Sequence, residues 1–108
     1  MNDTLAINGV EVFHHFGHGT YIKETRIPQG VSLQQHVHPH SHQSILVVGE
    51  VYVTVGDRVK LHIAPAVINV AAGIRHEVMA VKDSVWMCVH ATNDTDPETV
   101  DQTILTGG

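Results

Sequence analysis

The sequence is short of cysteine, of cationic residues and of long apolar runs, and each shortage excludes something. Cys88 is the single cysteine, so no disulfide can close within the chain, and a reducing compartment suits it. Six Lys and Arg, scattered through 108 residues with a net charge of −5, argue against nucleic acid as the main partner. No apolar run is long enough to span a bilayer, and neither a signal peptide nor a lipidation signal is expected. A soluble, cytoplasmic protein without a membrane partner is expected. Helical periodicity is missing too: no window holds a 3.6-residue period, and no capping box opens an apolar stripe.

What is present is a β pattern. Short runs rich in Val, Ile and Thr predict strands over 21–27, 31–38, 44–48, 50–55, 59–63, 67–70, 76–81 and 85–91, with an edge strand over 7–13. Turn signals fall between them, at Pro28-Gln29-Gly30, Val48-Gly49, Gly56-Asp57, Ala64-Pro65 and Lys82-Asp83. Many short strands at this spacing make an all-β sandwich or closed barrel. The length allows one domain, 1–108, with a barrel core over about 20–92 and a polar surface tail over about 93–108. Apolar residues are 43% of the chain, enough for a small core that a metal or a partner subunit would help to stabilise.

Histidine is abundant. His36, His38 and His42 share one run, His36-Val37-His38-Pro39-His40-Ser41-His42, and His76 ends Ala71-Ala72-Gly73-Ile74-Arg75-His76. Several imidazoles converging on one point suit Zn, Cu, Fe or Ni better than Mg or Ca. Residues two apart on a strand face the same way, so His36 and His38 can meet one ion, and His42 can join them if the chain stays near-extended. His40 shares that parity, but Pro39 interrupts the run, and an outward position or one behind the ligands is the simpler reading. His14, His15 and His18 could bind a second ion, but their Gly-rich surroundings read more simply as a solvated loop. His62 alternates with apolar neighbours and is expected on an outer face.

These residues resemble the two motifs of the cupin family. The first, G-x5-H-x-H-x3–4-E-x6-G, is matched by Gly30, His36, His38, His42 and Gly49, with His42 where the family usually has Glu. The second, G-x5-P-x-G-x2-H-x3-N, is matched at Gly73 and His76; Ala71 replaces the Pro, Ala80 the Asn, and Pro65-Ala66 the customary Gly-Asp. The resemblance covers Gly30 to Ala80, nearly half the chain. It implies a jelly-roll barrel, the cupin double-stranded β-helix, with one divalent transition metal (Mn, Fe, Ni, Cu or Zn) held inside by His36, His38, His42 and His76. The chain as a whole also resembles short cupins of tailed bacteriophages and prophages, which brings no activity with it.

Replacing Glu by His changes the charge of such a site. Three His and one Glu leave a divalent ion with +1; four neutral His leave +2, which attracts carboxylates or enolates and acidifies bound water. On an octahedral ion four ligands leave two open positions, whereas on tetrahedral Zn they close the shell and make the site structural.

The register of the last strand depends on the loop before it. A two-residue loop at Lys82-Asp83 would pair Ala80 with Val85 and put Val85, Met87 and Val89 on the face of His76. A three-residue loop ending at Ser84 would put Trp86, Cys88 and His90 there instead. Similarity to short cupins with an aromatic and a Cys facing the metal favours the second, with Trp86 and Cys88 inside. Ser44 and Leu46 follow His42 at period two and should line the barrel, as should Gln34, two before His36. No carboxylate is placed as a general base, since Glu77 follows His76 and faces outward. The expected function is a metal-dependent small-molecule enzyme, dioxygenase-like or isomerase/lyase-like, acting on a small anionic or enolisable substrate. The alternatives are a non-catalytic metal- or ligand-binding barrel and an accessory interaction protein. A homodimer is expected, because barrel edges must be covered and short cupins commonly pair, with Val10, Val12 and Ile22 as contact candidates.

Overall fold

A computed structural model describes residues 8–34 and 40–100. Among the described residues there are nine strands: β1 (Glu11–Gly17), β2 (Thr20–Ile27), β3 (Ser32–Gln34), β4 (His42–Val48), β5 (Glu50–Val55), β6 (Arg58–Ile63), β7 (Ala66–Val70), β8 (His76–Ala80) and β9 (Ser84–Ala91). They form a five-stranded sheet, β1-β2-β9-β4-β7, and a four-stranded sheet, β3-β8-β5-β6, as the jelly-roll expectation requires. Every pairing is antiparallel. Among the described residues no helix is long and apolar enough to cross a membrane.

The edge strand expected over 7–13 begins later, at Glu11, and runs to Gly17. The Gly-rich segment after it is a tight turn. His18 and Gly19 both have positive φ, 52° and 75°, between the paired residues Gly17 and Thr20. Two positive φ values in a two-residue loop make a type I′ hairpin, whose twist matches its strands. His14 and His15 therefore lie on a strand, not in a loop.

β8 and β9 are consecutive but belong to different sheets: β8 pairs with β3 and β5, β9 with β2 and β4. Neither hairpin register read from the sequence is formed, although the inward face of β9 is the one expected. β4 and β5 also change sheets, at Gly49, and the two crossings lie against each other. The Val81 N–H donates to the Glu50 carbonyl at 2.8 Å, and the Ser84 hydroxyl donates to the same oxygen at 3.2 Å. Gly49 has φ 96°, and a Cβ there would lie 2.8 Å from Ser84 Cα.

Cross-strand register fixes what faces the core. In the larger sheet one inward row is Thr25–Trp86–Leu46–Ala66 and the next Lys23–Cys88–Ser44–Ile68. In the smaller sheet the rows are Leu33–Val78–Val53–Lys60, His76–Val55–Arg58 and Ala80–Val51–His62. Ile27, Leu46, Val51, Val53, Ile68, Val78, Ala80, Trp86 and Cys88 are the buried centre. Two expectations are corrected by these rows. His62 shares a face with buried Val51, so it points inward, and the outer face of β6 carries exposed Val59, Leu61 and Ile63. Gln34 is exposed and sits opposite Glu77 on the outer face, because Leu33, opposite Val78, takes the inward position on β3.

The segment after β9 does more than cover the surface. Val100 is fully buried against Tyr21, beside Phe16. Val10, expected on an outer contact face, is buried within the chain.

Candidate metal centre

His76 begins β8 and is 4% exposed. Its Nδ1 lies 3.0 Å from the Ile74 carbonyl oxygen. A carbonyl can only accept, so Nδ1 carries the proton, and in the neutral ring Nε2 keeps its lone pair. An imidazole anchored through one nitrogen to a backbone carbonyl, with the other presented inward, is the usual preparation of a metal-binding histidine.

On the facing sheet, His42 of β4 and Cys88 and His90 of β9 bring their ligand atoms within 4.8 Å of one another. Alternation along β9 explains this: Ser84, Trp86, Cys88 and His90 are buried, while Val85, Met87 and Val89 between them are only half-buried. Both ring nitrogens of His42 are buried atoms. Metal–nitrogen bonds of about 2.0–2.1 Å and a metal–sulfur bond of about 2.3 Å limit two ligands of one ion to about 4.4 Å apart, so small side-chain rotations suffice. The donor set fits a transition metal: two imidazoles and a thiolate suit Zn and Cu better than Mg or Ca.

Neighbouring groups hold this cluster in place. Ser44 Oγ lies 3.3 Å from Cys88 Sγ in a buried hydrogen bond. The His90 ring stacks on Tyr21 with centroids 6.1 Å apart, and the Tyr21 hydroxyl is hydrogen-bonded to His14 Nδ1 at 2.6 Å. Trp86 and Leu46, 2% and 0% exposed, form the apolar layer beneath Cys88 and Ser44. Lys23 is the cross-strand partner of Cys88 on the same inward face.

Of the residues expected in the site, His42, Ser44, Leu46, Trp86 and Cys88 come together on the inner face of β4 and β9, and His76 faces inward from β8. His36 and His38 lie outside the described residues. Gln34 is excluded by its outward direction, and His40 is exposed. His14 bonds Tyr21, and His15 bonds Glu24 at 2.9 Å on the outer face, so the pair serves two different surfaces rather than one ion. His90 is the residue that sequence reasoning passed over as a ligand. Its signal was the same alternation that turned Trp86 and Cys88 inward.

Outside the barrel, Glu24 is buried yet charged. Burial raises its pKa, but hydrogen bonds from Arg26 at 2.7 Å and from His15, with their positive charge, outweigh that and hold it below the ordinary carboxylate value.

No protein-family model and no curated protein matches the sequence. Solved structures match the fold. An RmlC-like cupin from Shewanella frigidimarina NCIMB 400 superposes with a TM-score of 0.72 at 19% identity, covering 89% of this chain and 86% of that one. KdgF from a Halomonas species gives 0.73 at 10% identity, over 87% and 89%. A cupin 2 conserved barrel domain protein from Salinispora arenicola CNS-205 gives 0.69 at 18% identity, over 93% and 87%. The chain has the fold of a small cupin.

Proposed function

We propose that the barrel interior is a metal-dependent site for a small anionic or enolisable molecule, with dioxygenase-like or isomerase/lyase-like chemistry. The observation that supports it most directly is the convergence of half-buried His42 with buried Cys88 and His90, together with an inward His76 whose Nδ1 is anchored. One divalent transition metal (Mn, Fe, Ni, Cu or Zn) would be held by His36, His38, His42 and His76, with Cys88 and His90 within reach. A metal bound there would supply Lewis acidity. The chain's own residues do the rest. Ile74 fixes the His76 ring through its carbonyl, Ser44 fixes the Cys88 side chain, and Trp86 and Leu46 keep water from one side of the cluster. The strand carboxylates Glu11, Glu24, Glu50 and Glu77 all take outward positions, so none serves as an internal base.

A second reading is favoured by one feature. A thiolate with imidazoles suits Zn, and four protein ligands on tetrahedral Zn make a closed, structural site. The same barrel would then bind metal without turnover. A homodimer with a small-molecule ligand belongs to either reading.

Protein purified without nickel affinity and analysed for metals tests the proposal. About one equivalent of a transition metal is expected, with affinity falling at least about tenfold in His76→Ala and His42→Ala. Azide added to the cobalt-substituted protein separates the readings: a changed spectrum means an open position and favours chemistry, and an unchanged one means a closed shell. Wild-type protein that neither contains nor takes up a transition metal would refute both.

A further inference from the structure

Charge is sorted between the two sides of the sheets, against the chain's overall balance. The net charge is −5, yet Glu11, Glu24, Glu50 and Glu77, the acids on described strands, all occupy outward positions. The cations on those strands are Lys23, Arg26, Arg58 and Lys60. Only Arg26 is outward, where it pairs with Glu24. Lys23 shares the inward row of Cys88, Lys60 that of Val53 and Val78, and Arg58 that of Val55 and His76.

β6 carries this sorting furthest, because its amphipathicity is inverted. Arg58, Lys60 and His62 alternate on the side of the buried valines, the first two exposed and His62 half-buried, while Val59, Leu61 and Ile63 are 62%, 42% and 59% exposed on the other side. A strand placed for burial within one chain alone would be turned the other way, since each large apolar side chain that the chain itself leaves in water forfeits about 1.5–3 kcal/mol unless a second copy covers it. The orientation places all three basic groups on the side of the sheet that faces its partner sheet. Burial and the neighbouring Lys60 charge both press the His62 pKa below its ordinary value, consistent with the two lying on one face. Strands are about 4.8 Å apart, so Arg58 Cα sits about 10 Å from that of His76 two strands away, within reach of a ligand bound beside His76.

We propose that Arg58 and Lys60, exposed on the inward-facing side of edge strand β6, form a cationic rim to the space inside the barrel that recognises a small organic anion, a carboxylate or a phosphate ester. The inference rests on reading the interior as a ligand site, but it does not need the metal. Arg58 offers a planar fork suited to either oxyanion, and Lys60 adds a point charge on the same side. A positive rim in a negative protein also focuses anions on that mouth and repels them elsewhere.

Calorimetric titration with malonate and with inorganic phosphate, on metal-free and on zinc-loaded protein, tests it. Both forms should bind at least one probe, with affinity falling as salt rises. Arg58→Gln and Lys60→Gln should each weaken binding about five- to tenfold, the loss of one charge-assisted hydrogen bond. Lys82→Gln, which removes an exposed cation paired with Glu50 at 3.5 Å, should leave it unchanged. Preference for malonate or for phosphate identifies the anion class. Wild-type affinity in the Arg58→Gln/Lys60→Gln double variant, folded by circular dichroism, would overturn the proposal. So would binding that appears only with zinc and ignores these substitutions, which would leave the metal reading standing. Retained anion binding in protein that takes up no metal would do the reverse. An unchanged affinity accompanied by self-association of the double variant would assign the two cations to protecting the β6 edge, and the proposal would again fall.

Discussion

His42 and His90 stand ring to ring between β4 and β9, 4.4 Å between centroids and 34° between planes. Cys88 completes the group, and its sulfur separates this site from one built of imidazole alone. Soft thiolate favours Zn and Cu(I) over Mn, and a thiolate ligand is lost in serine. Cys88→Ser should therefore lower zinc affinity by at least about tenfold while leaving manganese uptake nearly unaltered. Competition between the two metals, read by elemental analysis, decides. The same zinc-to-manganese ratio in variant and wild type would remove Cys88 from the ligand set.

Sequence patterning reached most of the fold because strand burial has a period of two and the turns are marked by Gly, Pro and Asp. The strands predicted over 50–55 and 85–91 appear as Glu50–Val55 and Ser84–Ala91. Sheet membership was not legible, because a short gap such as 81–83 serves equally for a hairpin and for a crossing between sheets. The direction of Gln34 was lost for a related reason: it was inferred from His36 along an assumed unbroken alternation, whereas its pairing with Glu77 sets it outward. His62 was assigned outward on the rule that polar residues face solvent, which β6 inverts. His42 and His76 were legible through spacing. His90 was not, since no spacing rule linked it to residues 48 and 14 positions earlier; only the fold brings β4 and β9 side by side.

Gly49 should tolerate no side chain. Its φ of 96° is unfavourable for L-residues, and a Cβ would meet Ser84 and the Asp83 carbonyl at the contact of the two sheet crossings. Backbone atoms cannot rotate away as a side chain can. Gly49→Ala should cost at least about 1–3 kcal/mol in denaturant unfolding. Gly56→Ala, where a Cβ meets nothing within 4 Å although φ is 59°, should cost less. Equal losses at the two positions would mean that strain alone, not the close approach, sets the requirement.

The Glu24 carboxylate makes stability depend on acid. Its folded-state pKa is lowered from 4.5, so as pH falls the unfolded chain takes up the proton first. Its stabilising contribution is full above the unfolded value and is lost as pH falls through the folded one. Between about pH 6 and pH 3, wild type should lose more stability than Glu24→Gln, which has no proton to gain at this position. Parallel melting-temperature profiles for the two proteins would show that the His15–Glu24–Arg26 group contributes nothing to the acid response.

The outer face of β6 should meet a second copy of the chain. β6 is the edge of its sheet, and Val59, Leu61 and Ile63 extend toward Tyr52, which is 38% exposed on the neighbouring strand. An apolar edge strand is self-complementary about a two-fold axis and prone to pairing. Light scattering at about micromolar concentration should give twice the 11.8 kDa chain mass for wild type and a single chain mass for Leu61→Glu. A monomeric wild type would end the dimer expectation.

Trp86 joins the core to the site, and its two parts can be separated. The ring is 2% exposed beside Leu46, but Nε1 is buried with no hydrogen-bond acceptor among the described residues. A buried donor without an acceptor costs about 1–3 kcal/mol, so deleting the N–H returns part of what the smaller ring loses in packing. Trp86→Phe should therefore be mild, within about 1.5 kcal/mol of wild type, while Trp86→Ala should lose about 3–5 kcal/mol through the cavity it leaves. If the indole N–H instead serves a bound ligand, Trp86→Phe would fold normally and bind the malonate or phosphate probe more weakly. Unfolding curves and probe titrations on the same two variants distinguish a packing residue from a binding one. Trp86→Phe as damaging to stability as Trp86→Ala would show that the indole nitrogen finds an acceptor in solution and itself supports the fold, which would sink both roles.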